Sequence, residues 1–268
     1  MILLIRSLFK QVRKPVLAYA IGTSLYLLML ALLYPSMMKT GLLETKLEAL
    51  PPEVLKAFQY DKVTGFDNVL DLLGGNYYGL IFQVIASLFL LSLAARLVAR
   101  PIDNGELIVY LAAPITRNAY TFAVAIVMGI ASMVLVGLNG LVLMVSDGWM
   151  TDISINDVIL WRIQLNALLL LLAIGAFTLF VATLFDEERR AFSLAGSVLV
   201  LSIVLTILSE LSDKTEWLRY LSVFSLFNTT QLLEGTNHFL LHSILLLVLC
   251  LVFLTGAVVQ FGRRSLSI

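Results

Sequence analysis

Tyr78–Ala99 reads YGLIFQVIASLFLLSLAARLVA and carries a single charge, Arg96. An apolar run of about 20 residues is long enough to cross the hydrocarbon of a bilayer as a helix. A spanning strand would be shorter and would alternate polar with apolar residues, which this run does not. Working outward, five further runs have the same character: Val16–Tyr34, Phe122–Val145, Ile163–Phe185, Ala191–Ser209 and Phe239–Phe261. The chain therefore reads as an all-α, polytopic membrane protein. It has six transmembrane helices and a single domain over residues 1–268. Composition agrees. Of 268 residues, 60% are hydrophobic and 13% charged, and mean hydropathy is +0.95. A soluble domain is about a quarter charged. Arg96 lies near a span end, where a long basic side chain can reach the interface.

The net charge of zero hides a strong polarity. With six spans both termini lie on one side. That side holds eleven basic and five acidic residues, the other seven and thirteen, so the two sides stand at +6 and −6. Basic residues gather on the cytoplasmic side of membrane proteins. Both termini are thus expected in the cytoplasm. The first apolar run is of span length, and Leu33-Tyr34-Pro35-Ser36 does not have the small-x-small form of a cleavage site, so no cleaved signal is read here. Cys250 is the only cysteine, which excludes an intrachain disulfide.

Ahead of the first span, Ile5, Leu8, Phe9 and Val12 form one apolar stripe. Arg6, Lys10, Arg13 and Lys14 form a basic stripe beside it. That pattern predicts an N-terminal cytoplasmic interfacial helix lying on the anionic inner leaflet, with a bend at Pro15. On the other side, Pro35–Tyr77 is a long loop. Leu43, Leu47 and Leu50, then Val54, Leu55 and Phe58, predict two short amphipathic helices separated by Pro51-Pro52. Gly74-Gly75 predicts a flexible link into the second span. In the last outer loop Trp217, Leu221 and Phe224 fall at i, i+4, i+7 and predict another interfacial helix.

The connector between the second and third spans, Arg100–Tyr120, is RPIDNGELIVYLAAPITRNAY. It is not a plain polar turn. Asp103 and Asn104 can cap a helix start, and Glu106 favours the positive helix end. Leu107, Ile108, Tyr110 and Leu111 offer apolar contacts before Pro114 stops the helix. A short cytoplasmic helix with charged and apolar groups suits docking to another protein. Asp186-Glu187-Glu188-Arg189-Arg190, between the fourth and fifth spans, is a second cytoplasmic contact candidate.

Several chemistries lack their motifs. No glycine precedes a lysine, so there is no Walker-A phosphate loop. HExxH, CxxC and Gly-x-Ser-x-Gly are also absent. Glu234, His238 and His242 share one helical face at the outer end of the last span, a spacing that could hold a metal. The plainer reading is a polar helix start. Gln83, Asn139, Gln164 and Asn166 lie in or near spans. Such amides usually bond between helices, and Gln83, Asn139 and Asn166 are also substrate-path candidates. Gly129, Ala131, Ser132, Gly137 and Gly140 in the third span, and Ser193, Ala195, Gly196 and Ser197 in the fifth, permit close helix approach or a dimer seam. No internal repeat argues for an inverted-repeat secondary transporter.

Arg100-Pro101, Gly105, Glu106, Leu107, Pro114 and Arg117 in this setting resemble the region before the third span of type-2 ATP-binding-cassette exporter permeases. The lead-in Pro-Ile-Asp-Asn is less acidic than is usual there, and Glu106 stands where threonine is common. The tail Phe261-Gly262-Arg263-Arg264-Ser265-Leu266 resembles the family's Phe-x-Arg-Arg-Asp-Leu ending. The resemblance covers nearly the whole chain. It implies a non-enzymatic permease in a bacterial or archaeal plasma membrane. Two copies of a separate ATPase subunit, carrying ATP and magnesium, would bind at Arg100, Asp103, Asn104, Gly105, Glu106, Leu107, Tyr110, Pro114, Arg117, Glu187, Glu188 and Arg189. A second permease subunit, identical or paralogous, would complete the transporter. No cofactor is expected in this chain itself, and no nucleic-acid partner. The apolar spans lack embedded acids, so the expected cargo is an amphiphile: a peptide, a lipid-like compound or a drug. Two other readings stay open: an intramembrane metal-dependent enzyme using Glu234, His238 and His242, and a non-transporting scaffold or sensor.

Overall fold

The computed structural model describes residues 1–39, 51, 73–107, 110, 115–149, 157–228 and 238–264. Six of its helices are long and apolar enough to cross a membrane, the architecture of a multi-pass membrane protein. No strand occurs among the described residues. Helix α1 is Ile2–Lys39. Helix α2 is composite: a π-helical turn Gly74–Gly79, an α-helix Leu80–Ala94, a second π turn Ala95–Ala99 and a last α turn Arg100–Asp103. Helices α3 to α6 are Arg117–Trp149, Asp157–Leu184, Glu188–Leu211 and His238–Arg263. Two 3-10 segments, Asp213–Leu221 and Phe224–Leu226, follow α5. Each of the six apolar runs falls on one of these helices.

Burial separates central from peripheral helices. In the most apolar window of α2 and of α4, 67% of residues are buried, against 17% in α6. Helices α2 and α4 thus form the middle of the bundle, and α6 turns most of its surface outward. Helix α1 lies along α3, and α6 lies along α4. Small residues allow some of these approaches. A Cβ on Gly256 of α6 would meet the Phe180 ring of α4 at 3.2 Å, and one on Gly262 would meet Asn118 Oδ1 at 2.6 Å. In the third span, Ala131 and Ser132 are buried within the chain's own bundle. A Cβ on Gly140 would meet Gln164 at 3.5 Å.

Three local expectations are corrected. The helix is not interrupted at Pro15: α1 runs through it as one helix from the N-terminal segment into the first span. Proline removes one intrahelical hydrogen bond there. The continuous buried stripe Leu4, Leu8, Val12, Val16 and Ala20 packs both sides of Pro15 against the bundle. Gly74-Gly75 is not a loose link, since Gly74–Gly79 is helical. The segment after α5 is a 3-10 rather than an α-helix. Trp217, Tyr220 and Leu221 are all exposed, and the extended Ser222 ends that segment, so Phe224 in the second 3-10 turn is fully buried. The proposed amphipathic helices over 43–50 and 54–58 lie outside the described residues.

Candidate functional site

One end of the bundle collects most of the residues singled out in the connectors. Helix α2 ends at Asp103, and Gly105, with φ of +73°, takes the left-handed conformation just beyond it. This is a helix C-terminus of the kind glycine favours. Asp103 and Asn104 therefore close α2 rather than cap the helical residues Leu107 and Tyr110 that follow. Asn104 closes α2, its N–H bonding to the Arg100 carbonyl at 2.9 Å. Asp103 caps a different helix instead: its carboxylate accepts the Glu188 N–H at the start of α5, at 3.2 Å. Arg100 grips the Glu188 carboxylate through two nitrogens, at 3.0 and 2.9 Å. The two connectors are thus joined. Both partners are partly exposed, so the pair contributes about 1 kcal/mol or less. Its forked geometry fixes orientation more than it stabilises.

Aromatic contacts tie this end to α1 and α6. Gln11 of α1 donates to the Tyr110 hydroxyl. The Tyr110 ring sits 5.6 Å from that of Tyr120, which lies 6.4 Å from Phe261. Tyr120 donates its hydroxyl to the Leu97 carbonyl at 2.7 Å. Leu97 lies inside the second π turn, where the normal ladder is disturbed and backbone groups need other partners. Arg264 follows α6. Its guanidinium donates to the Thr183 and Phe185 carbonyls at 2.6 and 3.1 Å, closing the end of α4. It also pairs with Asp186, and its own carbonyl accepts from Arg117. Residues near both termini therefore meet both connectors at the same end.

Not every connector residue faces outward. Leu107 is buried, and Tyr110 is half-buried and bonded to α1. Their side chains are used within the bundle itself. Asn104, Gly105, Glu106, Glu187 and Arg189 remain exposed. Glu187 pairs with Arg190 at 2.8 Å. Arg6, Lys10, Arg13 and Lys14 are all exposed along α1. Pro114, Ile108 and Leu111 lie outside the described residues.

Inside the bundle the amides bond between helices. Asn139 of α3 is buried; it donates to the Tyr77 hydroxyl at 2.7 Å and accepts from Thr23 at 3.1 Å and Ser24 at 2.9 Å. Three helices meet on this one side chain. Gln164 donates to the Tyr78 hydroxyl at 2.8 Å, and Asn166 to Ser243 at 3.3 Å. The carbonyl oxygens of Gln164 and Asn166 are buried without a partner. Gln83 is buried in α2.

None of Gln83, Asn139 and Asn166 lines the large cavity of about 920 Å³. It lies between α4, α5 and α6, beneath the segment 213–228. Sequence reasoning missed it, although Ser202, Thr206 and Ser222 carried a signal. Ser222 donates to the Ser202 carbonyl at 2.8 Å and accepts from Thr206 at 2.7 Å, which seats the segment on α5. His242 lines this cavity. Glu234 lies outside the described residues, as does the side chain of His238. Among the described residues no three metal-ligating side chains gather. No protein-family model matches the chain, and no curated protein matches it by sequence.

Proposed function

We propose that the chain is the membrane subunit of an ATP-binding-cassette exporter for amphiphilic substrates. A separate ATPase would dock at the end that gathers both termini and both connectors. The reading rests on the resemblance of Arg100–Arg117 and of the tail, and one observation carries it further. The Arg100–Glu188 pair and the Asp103 cap join the 100–107 connector to the start of α5. A push on exposed Asn104, Glu106, Glu187 or Arg189 would therefore move α2 and α5 together. Coupling to an external motor needs such a rigid element. The exposed basic row of α1 at the same end fits an anionic cytoplasmic leaflet. On this reading both termini lie inside the cell, in a bacterial or archaeal plasma membrane.

Glu106→Arg tests the docking. Glu106 is exposed, so expression and thermal stability should match the parent. Copurification of an ATPase after mild detergent extraction should fall several-fold, because a charge reversal at an interface costs on the order of 2 kcal/mol or more. Undiminished copurification together with unchanged substrate-stimulated hydrolysis would remove Glu106 from the interface.

Sidedness has its own test. A cysteine at Thr215 should react with an impermeant thiol reagent on intact cells, and cysteines at Asn104 and Glu187 only after permeabilisation. Labelling of Asn104→Cys from outside would invert the topology.

A further inference from the structure

Beneath the segment 213–228, the cavity of about 920 Å³ is walled by one stripe from each of three helices. Helix α4 contributes Ala173, Ile174 and Phe177. Helix α6 contributes the row from Leu241 through Leu245 and Leu249 to Phe253. Residues so spaced share one helical face. Helices α5 and α6 both pack on α4, with little contact between them, so the cavity runs as a slot along the gap that they leave. From Leu241 to Phe253 it follows α6 for about 18 Å, at roughly 1.5 Å per residue. A single stripe of α4 forms its back wall, which suits one alkyl chain rather than a pair.

The two ends of the slot differ. The deep end is closed by rings. Phe177 and Phe253 meet edge to face with centroids 5.3 Å apart, and Phe253 lies 6.0 Å from Phe180. Phe177 also packs on Leu91, Val181 and Ala195. A floor held from both helices is fixed in depth. The other end is bordered by the short hydroxyl side chains of Ser209, Ser212 and Ser225. The segment beside it carries exposed Trp217 and Tyr220, residue types that favour the level of lipid head groups. The slot thus runs from that level down into the hydrocarbon. Its flank is open: Val198, Leu241 and Leu245 line it and are exposed, and Leu201, Ile244 and Val248 continue the exposed apolar surface. In a bundle of membrane-spanning helices that surface meets acyl chains, so a tail can enter sideways without leaving the hydrocarbon.

We propose that this slot is a chain-length gauge for single-chain amphiphiles. The tail lies along α6 with its methyl end against Phe177 and Phe253, and the head stays at the serine-bordered end. Three backbone bonds of an extended chain advance about 3.6 Å, so about 15 bonds fill the depth, a tail of roughly fourteen to sixteen carbons. A shorter tail leaves wall atoms without partners, and a longer one must buckle or displace its head. Binding rests on the slot alone; export of the bound amphiphile rests on the permease reading.

The test uses the full chain in phosphatidylcholine nanodiscs without any ATPase. Decyl, dodecyl, tetradecyl, hexadecyl and octadecyl maltoside keep one uncharged head and vary the tail. Each competes against radiolabelled tetradecyl maltoside. Affinity is expressed per mole fraction in the lipid, fixed on empty nanodiscs, because partition alone rises about fourfold per methylene. Tetradecyl or hexadecyl maltoside should bind about fivefold tighter than the decyl and octadecyl compounds, the loss that one missing methylene causes in a packed core. Ala173→Leu fills the wall one turn above the floor and should move the optimum to a shorter tail. Phe253→Ala opens the floor and should move it to a longer one. Lost stability moves no optimum, so either variant suffices if the other does not fold. Affinity that is flat or rises steadily with length in the parent overturns the proposal, as does an optimum that no folded variant moves. So does a label that no maltoside displaces, since the two-chain host lipid then fills the slot equally well. A peaked profile in a chain that moves no amphiphile with any ATPase would discard the permease reading and leave the gauge standing.

Discussion

Arg264→Ala should lower stability by about 3 kcal/mol, since a charged hydrogen bond contributes about 1.5–3 kcal/mol and an abandoned carbonyl costs about 1–3. The side chain is only 10% exposed, against 61% for its partner Asp186. The ion pair itself is therefore well screened and contributes little. Most of the loss comes from the Thr183 and Phe185 carbonyls, the unpaired acceptors at the end of α4. Arg264→Lys should recover less than half of it, because one ammonium cannot serve both carbonyls and Asp186 with a planar fork. Reversible unfolding in mixed micelles measures the difference. A loss below about 1 kcal/mol for the alanine variant would mean that the α4–α6 junction is held by packing alone. The positive tail of the chain is in that case only a topology signal.

Asn139→Leu should cost about 2 kcal/mol. Hydrogen bonds between helices inside a membrane average about 0.6 kcal/mol each, and Asn139 makes three, to Tyr77, Thr23 and Ser24. Leucine keeps the branched shape and leaves no cavity, and its larger methyl groups add an overpacking cost on top. Thr23→Ala and Ser24→Ala should each cost a few tenths. The same variants separate two roles for Asn139. As an interhelical bond, its loss should leave the ligand affinity of the correctly folded fraction untouched. As a substrate contact, its loss would change affinity while stability stayed near the parent's. The second pattern would return Asn139 to the substrate path.

The six spans were legible because hydropathy over about 20 residues is a property of the run itself, insensitive to neighbours. What each polar residue bonds to was not. Asp103 has the right chemistry for a helix cap, but the helix that it caps begins at Glu188, in a different connector. Leu107 sits in a segment rich in charge and looks available, yet α2 and its neighbours bury it. Pro15 carries a strong local signal for a helix break, outweighed by a stripe of side chains that only α3 and the rest of the bundle make meaningful. Phe224 belongs to a separate 3-10 turn beyond the extended Ser222 and is buried while Leu221 is exposed; a helical count carried through from Trp217 cannot place it. The cavity of about 920 Å³ needed α4, α5, α6 and the segment 213–228 to close around it, and no single window of sequence contains all four.

The two prolines of α1 have a mechanical consequence. Pro15 and Pro35 both lie inside the helix, and each leaves one carbonyl without its usual N–H partner. At about 1.5 Å per residue they are roughly 30 Å apart, close to the hydrocarbon thickness of a bilayer. The softest points of this helix are thus spaced as the two faces of a bilayer are. A thicker or thinner bilayer can be met by flexing at these joints while the rod between them keeps its grip on Asn139. The chain should therefore tolerate lipids of different length with little change in its interior.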